Sequence, residues 1–177
     1  MFDITLKESG KKYTLPLTPE NWDEIKTTVD DSVINDFEFE VDYKNDFYDI
    51  LPASADLERL DNIAKDLEAL KAQDKLDWLN AILDADRLGK FDLQITRKQP
   101  SKIEAAISGI WAKEFFFDSG MEKADYAKQE FDIGNLYYLN ISDDLADCID
   151  WEKLFDKFLS NTAIPVNGGN LTVPEKI

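Results

Sequence analysis

The chain has 177 residues, 44% of them apolar, with four tryptophans, six tyrosines and eleven phenylalanines, which is enough for a hydrophobic core and argues against disorder. It carries 37 acidic and 20 basic residues and no histidine, so its net charge is −17; direct binding to nucleic acid, which needs cations, is disfavoured, and a partner with a basic groove is the electrostatic complement. The lack of histidine excludes Ser-His-Asp and Cys-His catalytic centres and histidine-ligated zinc sites.

Cysteine use and the first residues predict the compartment. Cys148 is the single cysteine, so neither a disulfide framework nor a thiolate metal cluster is expected. The segment Met1 to Thr5 lacks the basic and apolar regions of a signal peptide, and no apolar run approaches the roughly 18 residues that span a bilayer. We therefore expect a soluble cytoplasmic protein without membrane association.

The N-terminal unit, residues 1–52, is predicted to be a small antiparallel sheet with one helix. Strands are predicted at Asp3 to Leu6 and at Tyr13 to Leu17, on either side of a turn at Ser9-Gly10. These short apolar runs between turn residues are typical of a hairpin.

The helix of this unit is predicted to begin after the second strand. Thr18 is suited to the N-cap and Pro19 to the first helical position. Trp22, Ile25 and Val29 follow at three- and four-residue spacing, which gives the helix one apolar face.

An acidic strand is predicted next, at residues 36–43. Every even position is acidic and every odd position is apolar or aromatic, which is typical of a half-buried strand. Carboxylates two residues apart would stand about 6.5 Å from each other on one face. Such a row is either a negatively charged binding surface or an ordinary solvated face. Its members are Asp36, Glu38, Glu40 and Asp42.

The middle unit, residues 53–90, is predicted to be helical. Apolar residues recur at helical spacing from Leu57 to Leu70 and from Leu76 to Leu83. Two packed helices are the simplest arrangement.

The C-terminal unit, residues 91–177, is predicted to mix strands and helices. Phe91 to Ile95 alternates like a strand, Ser101 begins a helix that ends near Gly120, and Asn135 to Ile141 is a further strand candidate. Ser142 is predicted to cap a final amphipathic helix. The tail after Asn161 is left without an assigned element. The apolar face of the final helix is predicted to contain Leu145, Ile149, Phe155, Phe158 and Leu159.

The predicted fold class is therefore α+β, an elongated chain of small units. An N-terminal antiparallel sheet with one helix is followed by a helical middle and a C-terminal mixed α+β unit. This order places strands at both ends of the chain and helices between them.

Charge is concentrated in the two ends of the chain. Residues 1–55 hold thirteen acids and five cations, residues 56–100 ten and eight, and residues 101–177 fourteen and seven. In the predicted final helix, Asp143, Asp147 and Asp150 would share a face. Asp143 and Asp144 have an alternative, structural role, because negative charge in a first turn favours the helix dipole.

Catalytic motifs are not supported by the sequence. Ser9 to Lys12 fits a Ser-x-x-Lys pattern but lies in a predicted turn rather than at a helix start. Asp84 to Gly89 begins like a calcium loop and then lacks the ligands required at Leu88 and Ile95. No phosphate-binding glycine loop occurs. We expect no enzymatic activity, no catalytic residues, no metal site and no cofactor.

Several local strings together resemble the ArdA-type antirestriction family over roughly residues 13–160. None of them is individually specific. They are Leu15-Pro16-Leu17 leading to Trp22-Asp23-Glu24-Ile25, the acidic stretch from Glu38 to Asp49, Leu57-Glu58-Arg59-Leu60, Ile110 to Gly120, and Ile149-Asp150-Trp151-Glu152.

This resemblance implies a DNA mimic that occupies the DNA-binding groove of type I restriction-modification enzymes and protects incoming mobile or phage DNA. It also implies a homodimer. Seventeen net charges equal the phosphates of about eight or nine base pairs. The residues implied to stand in for phosphates are Asp36, Glu38, Glu40, Asp42, Asp46, Asp49, Asp118, Glu122, Asp125, Asp143, Asp147 and Asp150.

Three other functions remain open at this point. An acidic inhibitor or adaptor of another DNA-binding defence nuclease would use the same surface. A carboxylate-metal hydrolase would need one specific set of acids, and nothing in the sequence singles out such a set. A plain structural module with an acidic surface would inhibit nothing.

Overall fold

The computed structural model describes residues 3–7, 9–28, 39–42, 56–93, 101–132, 142, 145 and 147–173. Over these residues the fold is mixed α+β, as predicted. The chain forms two compact units, the first from Met1–Leu76 with Ile95–Ala105 and the second from Asp77–Gln94 with Ala106–Ile177.

The described elements are six strands and six helices. The strands are β1 (Asp3–Leu6), β2 (Lys12–Thr14), β3 (Phe39–Asp42), β4 (Phe116–Ser119), β5 (Ala163–Val166) and β6 (Gly169–Thr172). The helices are α1 (Pro19–Thr28), α2 (Leu57–Ala72), α3 (Leu76–Arg87), α4 (Lys102–Trp111), α5 (Lys123–Asp132) and α6 (Trp151–Phe158). None of the helices in these described ranges is long and apolar enough to cross a membrane.

The sheet of the first unit is antiparallel, in the order β2-β1-β3. The prediction of β1 at Asp3–Leu6 is confirmed, and Ile4 and Leu6 are its buried positions. The register sets the apolar positions of β3 opposite these buried residues and its acidic positions opposite half-buried ones. The pairs are Asp3 with Asp42, Ile4 with Val41, Thr5 with Glu40 and Leu6 with Phe39.

The second strand and the first helix meet at a short connection. β2 ends at Thr14 rather than at the predicted Leu17, just before Leu15 and Pro16, and proline has no N–H to donate to a ladder. The predicted helix start is confirmed. The N–H of Asn21 donates to Thr18 Oγ1 at 3.3 Å, and Pro19 is the first helical residue.

Asp61 on α2 is fully buried and organises this connection. The backbone N–H of Leu17 donates to Asp61 Oδ1 at 2.5 Å, and the Trp22 indole N–H donates to Oδ2 at 3.2 Å. Lys65, one turn later, places its Nζ 2.7 Å from Oδ2. A buried charge is tolerated only when it is paired and hydrogen-bonded, and Asp61 meets both conditions.

The two predicted helices of the middle region are confirmed as α2 and α3. The apolar positions predicted from Leu57 to Leu70 are buried, and Leu79 and Ile82 are buried on α3. Asp56 caps α2, because its side chain accepts the N–H of Arg59 at 2.7 Å.

The strand predicted at Phe91 to Ile95 is wrong for its described part. Phe91 donates its N–H to the Ala85 carbonyl at 3.2 Å, and Leu93 donates to Asp86 Oδ1 at 2.9 Å. These backbone N–H groups therefore bond to acceptors at the C-terminal end of α3 and not to a neighbouring strand. Gln94 and Ile95 lie outside the described residues.

The helix predicted to run from Ser101 towards Gly120 is shorter than expected. α4 ends at Trp111, where Lys113 has a φ of 59° and the N–H of Glu114 donates to the Gly109 carbonyl at 2.9 Å. This is a typical helix stop. β4 follows directly, and Gly120 comes after that strand.

The C-terminal helix also begins later than predicted. α6 starts at Trp151, with Asp150 rather than Ser142 as its N-cap. Leu145, predicted on the apolar face, is 57% exposed, whereas Phe155 is fully buried. The strand predicted between Asn135 and Ile141 lies outside the described residues.

The tail after Asn161 forms the β5–β6 hairpin, for which no element was predicted. The second sheet is antiparallel in the order β4-β6-β5. Beside it, Tyr126 and Phe155 join α5 to α6 with ring centroids 5.8 Å apart at 77°. The residues of this core are Tyr126, Ala127, Phe155, Leu159 and Ala163.

Gly109 generates the first prediction. A Cβ at this position would lie 2.1 Å from Phe115 Cε2, and Phe115 is itself buried edge-on against Phe91 at 5.6 Å. We expect Gly109→Ala to destabilise the protein by about 1–2 kcal/mol in urea unfolding, because overpacking outweighs the better helix propensity of alanine. In a Phe115→Leu background the same change should cost less; equal costs in both backgrounds would contradict the prediction.

Asp61 generates the second prediction. Asp61→Ala leaves the N–H groups of Leu17 and Trp22 without their acceptor, so we expect a loss of about 2–4 kcal/mol in the free energy of unfolding. Glu68→Ala, at an exposed position of the same helix, is the control. If Asp61→Ala and Glu68→Ala lose the same stability, Asp61 does not hold this connection.

Candidate acidic interaction surface

The N-terminal row of predicted phosphate mimics is described only in part. Glu40 and Asp42 belong to β3, which lies at one edge of the first sheet as far as the structure describes it. Glu40 and Asp42 therefore occupy alternate positions of a strand, as the sequence predicted. The other predicted phosphate mimics of the N-terminal unit, Asp36, Glu38, Asp46 and Asp49, lie outside the described residues.

The described members of the C-terminal row are spread over five local environments of the second unit. Asp118 is half-buried on β4, and Glu122 is exposed in the loop that follows. Asp125 is exposed in the first turn of α5. Asp147 is exposed in a turn, and Asp150 is the N-cap of α6.

The proposed common helix face of Asp143, Asp147 and Asp150 is therefore wrong for its described members. Asp147 lies in a turn before α6, and Asp150 caps the helix rather than lying inside it. Asp143 lies outside the described residues. Asp144 also lies outside them, so the first-turn role considered for Asp143 and Asp144 stays a prediction.

α5 and α6 bring most of the C-terminal charge together. The two helices pack through their apolar sides, so their polar sides remain outside. Residues 121–132 and 147–159 contain eight acids and four lysines, which leaves four negative charges in excess. This paired-helix surface is the most acidic region that the second unit presents among its described residues.

Two lysines reduce this field locally. Lys123 Nζ lies 2.8 Å from Asp156 Oδ1, and Lys153 Nζ lies 2.6 Å from Asp150 Oδ2. Hydrogen bonds from the Lys153 side chain and then from its backbone N–H hold the pKa of Asp150 below its usual range. Asp150 is thus charged at neutral pH, but its charge is largely offset by Lys153.

Glu122, Asp125 and Asp147 are different, because no ion pair is seen for them within the described residues. All three are exposed. These are the predicted phosphate mimics whose charge the second unit displays with the least local compensation.

A second acidic feature was missed in the sequence. An open cleft of about 260 Å³ in the first unit is lined by acids from α2 and α4. Sequence reasoning passed over it because residues 56–100 are almost charge-balanced and Glu104 lies 45 residues from Arg59. The lining residues are Asp56, Glu58, Arg59, Asn62, Ile63, Asp66 and Glu104.

Arg59 and Glu104 form the fixed part of this cleft. Arg59 Nε donates to Glu104 Oε1 at 2.9 Å and Nη2 donates to Oε2 at 2.5 Å, and the Ser101 hydroxyl donates to the same carboxylate. Burial alone would raise the pKa of Glu104, but the bonds from Arg59 and Ser101 outweigh it and hold the pKa below its usual range. The guanidinium is therefore committed to Glu104.

Asp66 lies nearby under the opposite influence. Partial burial and then the charge of Glu104 raise its pKa. The cleft is acidic overall, but it does not gather its carboxylates on one point: within the described residues, no group of three or more acidic or cysteine side chains is arranged to hold a metal ion.

Comparison of the chain with protein-family models, with curated protein sequences and with solved structures gives no match.

Glu104 generates the third prediction. Because its pKa is lowered by folding, its contribution to stability is present above the pKa of the unfolded chain and is lost as the pH falls through the folded pKa. We expect Glu104→Gln to cost about 1–3 kcal/mol in urea unfolding at neutral pH, and the difference from the unmodified protein to shrink as the pH falls below about 4.5.

The control for this prediction is Glu24→Gln. Glu24 pairs with Lys11 at an exposed position, where an ion pair has little effect on stability. A Glu104 effect that stays constant across the acidic range would contradict the assigned role of its charge.

Proposed function

We propose that this protein is an antirestriction DNA mimic. It would occupy the DNA-binding groove of a type I restriction-modification enzyme and so protect incoming mobile or phage DNA. The protein would act by binding alone, without chemistry, metal or cofactor.

The observation that carries the proposal is the exposed, weakly compensated charge of Glu122, Asp125 and Asp147 on a chain with net charge −17 and no histidine. Without histidine, no side-chain type in this chain has an ordinary pKa between about 6 and 8. The negative field therefore persists unchanged over the neutral range. A permanent negative field is the property that a phosphate mimic needs.

The amount of charge also fits a short duplex. DNA carries one negative charge per roughly 1.7 Å of helix axis, so a net charge of −17 matches about eight or nine base pairs. A homodimer, as the family resemblance implies, would match twice that length.

Charges of this kind act collectively. Exposed carboxylates steer a basic surface towards the protein and raise the association rate, and salt screens this attraction. Removing one of them should therefore have a small effect, whereas removing several should have a large one. A hydrolase with a carboxylate-bound metal would behave in the opposite way, since a single ligand substitution would abolish its activity.

The fourth prediction is competition with DNA. At about 0.05 M salt the purified protein should displace a fluorescently labelled duplex from a type I methyltransferase core, and displacement should weaken as salt rises to about 0.2 M. A triple variant, Glu122→Gln with Asp125→Asn and Asp147→Asn, should need about ten times more protein for half-displacement.

A charge-matched variant is the control for this measurement. Asp74→Asn, Asp77→Asn and Asp92→Asn remove the same charge from exposed positions between residues 74 and 92. If both triple variants lose activity equally, only net charge matters and the assigned surface is wrong. No displacement by the unmodified protein at low salt would reject this enzyme class as the partner.

A further inference from the structure

Phe116 is an exposed aromatic residue on β4. β4 alternates, so Phe117 enters the core while Phe116 and Asp118 take the other face. Phe117 is 8% exposed and Phe116 is 53% exposed. Among the described strands, β4 is an edge strand of the second sheet. An exposed apolar side chain on an edge strand favours aggregation, so the exposure of Phe116 calls for a functional explanation.

The ring is supported but not covered. Trp78, in the first turn of α3, has its ring centroid 6.0 Å from that of Phe116, and the two planes are tilted by 51°. A tilted aromatic neighbour at this distance holds the phenylalanine ring in position. About half of Phe116 nevertheless remains accessible beside Trp78.

A carboxylate accompanies this ring. Asp118 lies two residues further along the same face of β4, about 6.5 Å away along the strand. No ion pair is seen for Asp118 within the described part of the chain. An aromatic face and a carboxylate at this spacing can contact one planar cation, the first by cation–π interaction and the second by hydrogen bonds.

We propose that Phe116, Trp78 and Asp118 form a docking site for an arginine side chain of a basic protein partner. The inference deepens the proposed function and rests on it, since a DNA-binding groove is rich in arginine. Arginine fits better than lysine, because its guanidinium stacks flat on a ring, is weakly hydrated and can bond a carboxylate with two N–H groups. The negative charge of the chain favours this occupant over a second copy, which would bring a further −17 to the interface.

The fifth prediction tests this docking site with two peptides of equal charge, nona-arginine and nona-lysine. Their affinities are measured by calorimetry at one fixed salt concentration. Phe116→Leu keeps an apolar side chain but removes the aromatic face. We expect it to weaken nona-arginine binding about two- to five-fold more than nona-lysine binding.

Two further variants sharpen the comparison. Phe116→Trp keeps an aromatic face and should restore the preference for arginine. Leu88→Ala removes another exposed apolar side chain of the same unit, 60% exposed, and should leave the preference unchanged. Circular dichroism and urea unfolding confirm that each variant is folded before it is used.

Three results would overturn the inference. One is an equal loss for both peptides in Phe116→Leu, and another is no loss for either peptide. The third is a dimer that Phe116→Leu dissociates, since the ring would then be covered by a second copy. Failure of the proposed function is separate: it is seen as an absence of duplex displacement by the unmodified protein, whatever the peptides show.

Discussion

Self-repulsion among 37 carboxylates facing only 20 cations is the constraint under which this chain folds. The described part of the chain limits this repulsion by keeping acids out of its interior, where Asp61 is the one fully buried acid. Cations accompany the acids that are most removed from water: Lys65 pairs with Asp61, and Arg59 with Glu104. The remaining acids are left at the surface, where water and salt reduce their repulsion. Folding therefore does not require the surface charge to be neutralised, and an intense negative field is compatible with a stable core.

Local patterns explain what could be predicted of the fold. The apolar positions of α2 from Leu57 to Leu70 repeat within a few residues of each other, and the start of α1 depends on Thr18 and Pro19 alone. The second sheet depends on distant residues instead. Phe116 pairs with Thr172, far along the chain, and the hairpin strands are four residues long with a proline or a glycine in them. Such strands have weak propensity of their own and form because a partner is present.

The acidic surface, like the fold, could be predicted only where it depends on local sequence. Composition predicted that acids would dominate the surface, but not which of them would be compensated. Ser142 and Asp150 are both good N-cap residues; the packing of Trp151 against Phe131, 5.6 Å apart, accompanies the start at Asp150. As the N-cap, Asp150 forms an ion pair with Lys153, which offsets much of its negative charge. The charge that a partner would meet is therefore set by tertiary contacts as well as by sequence.

A charged surface alone gives a mimic little selectivity. Exposed carboxylates attract every basic groove, and their attraction acts over a Debye length, so it determines mainly how fast partners meet. Lifetime and discrimination between partners come from short-range contacts that salt does not screen, and aromatic side chains are the usual source of these at interfaces. Under the proposed function, Glu122, Asp125 and Asp147 would recruit the partner, and the ring of Phe116 would hold it. The two roles need different chemistry, and the second unit displays both.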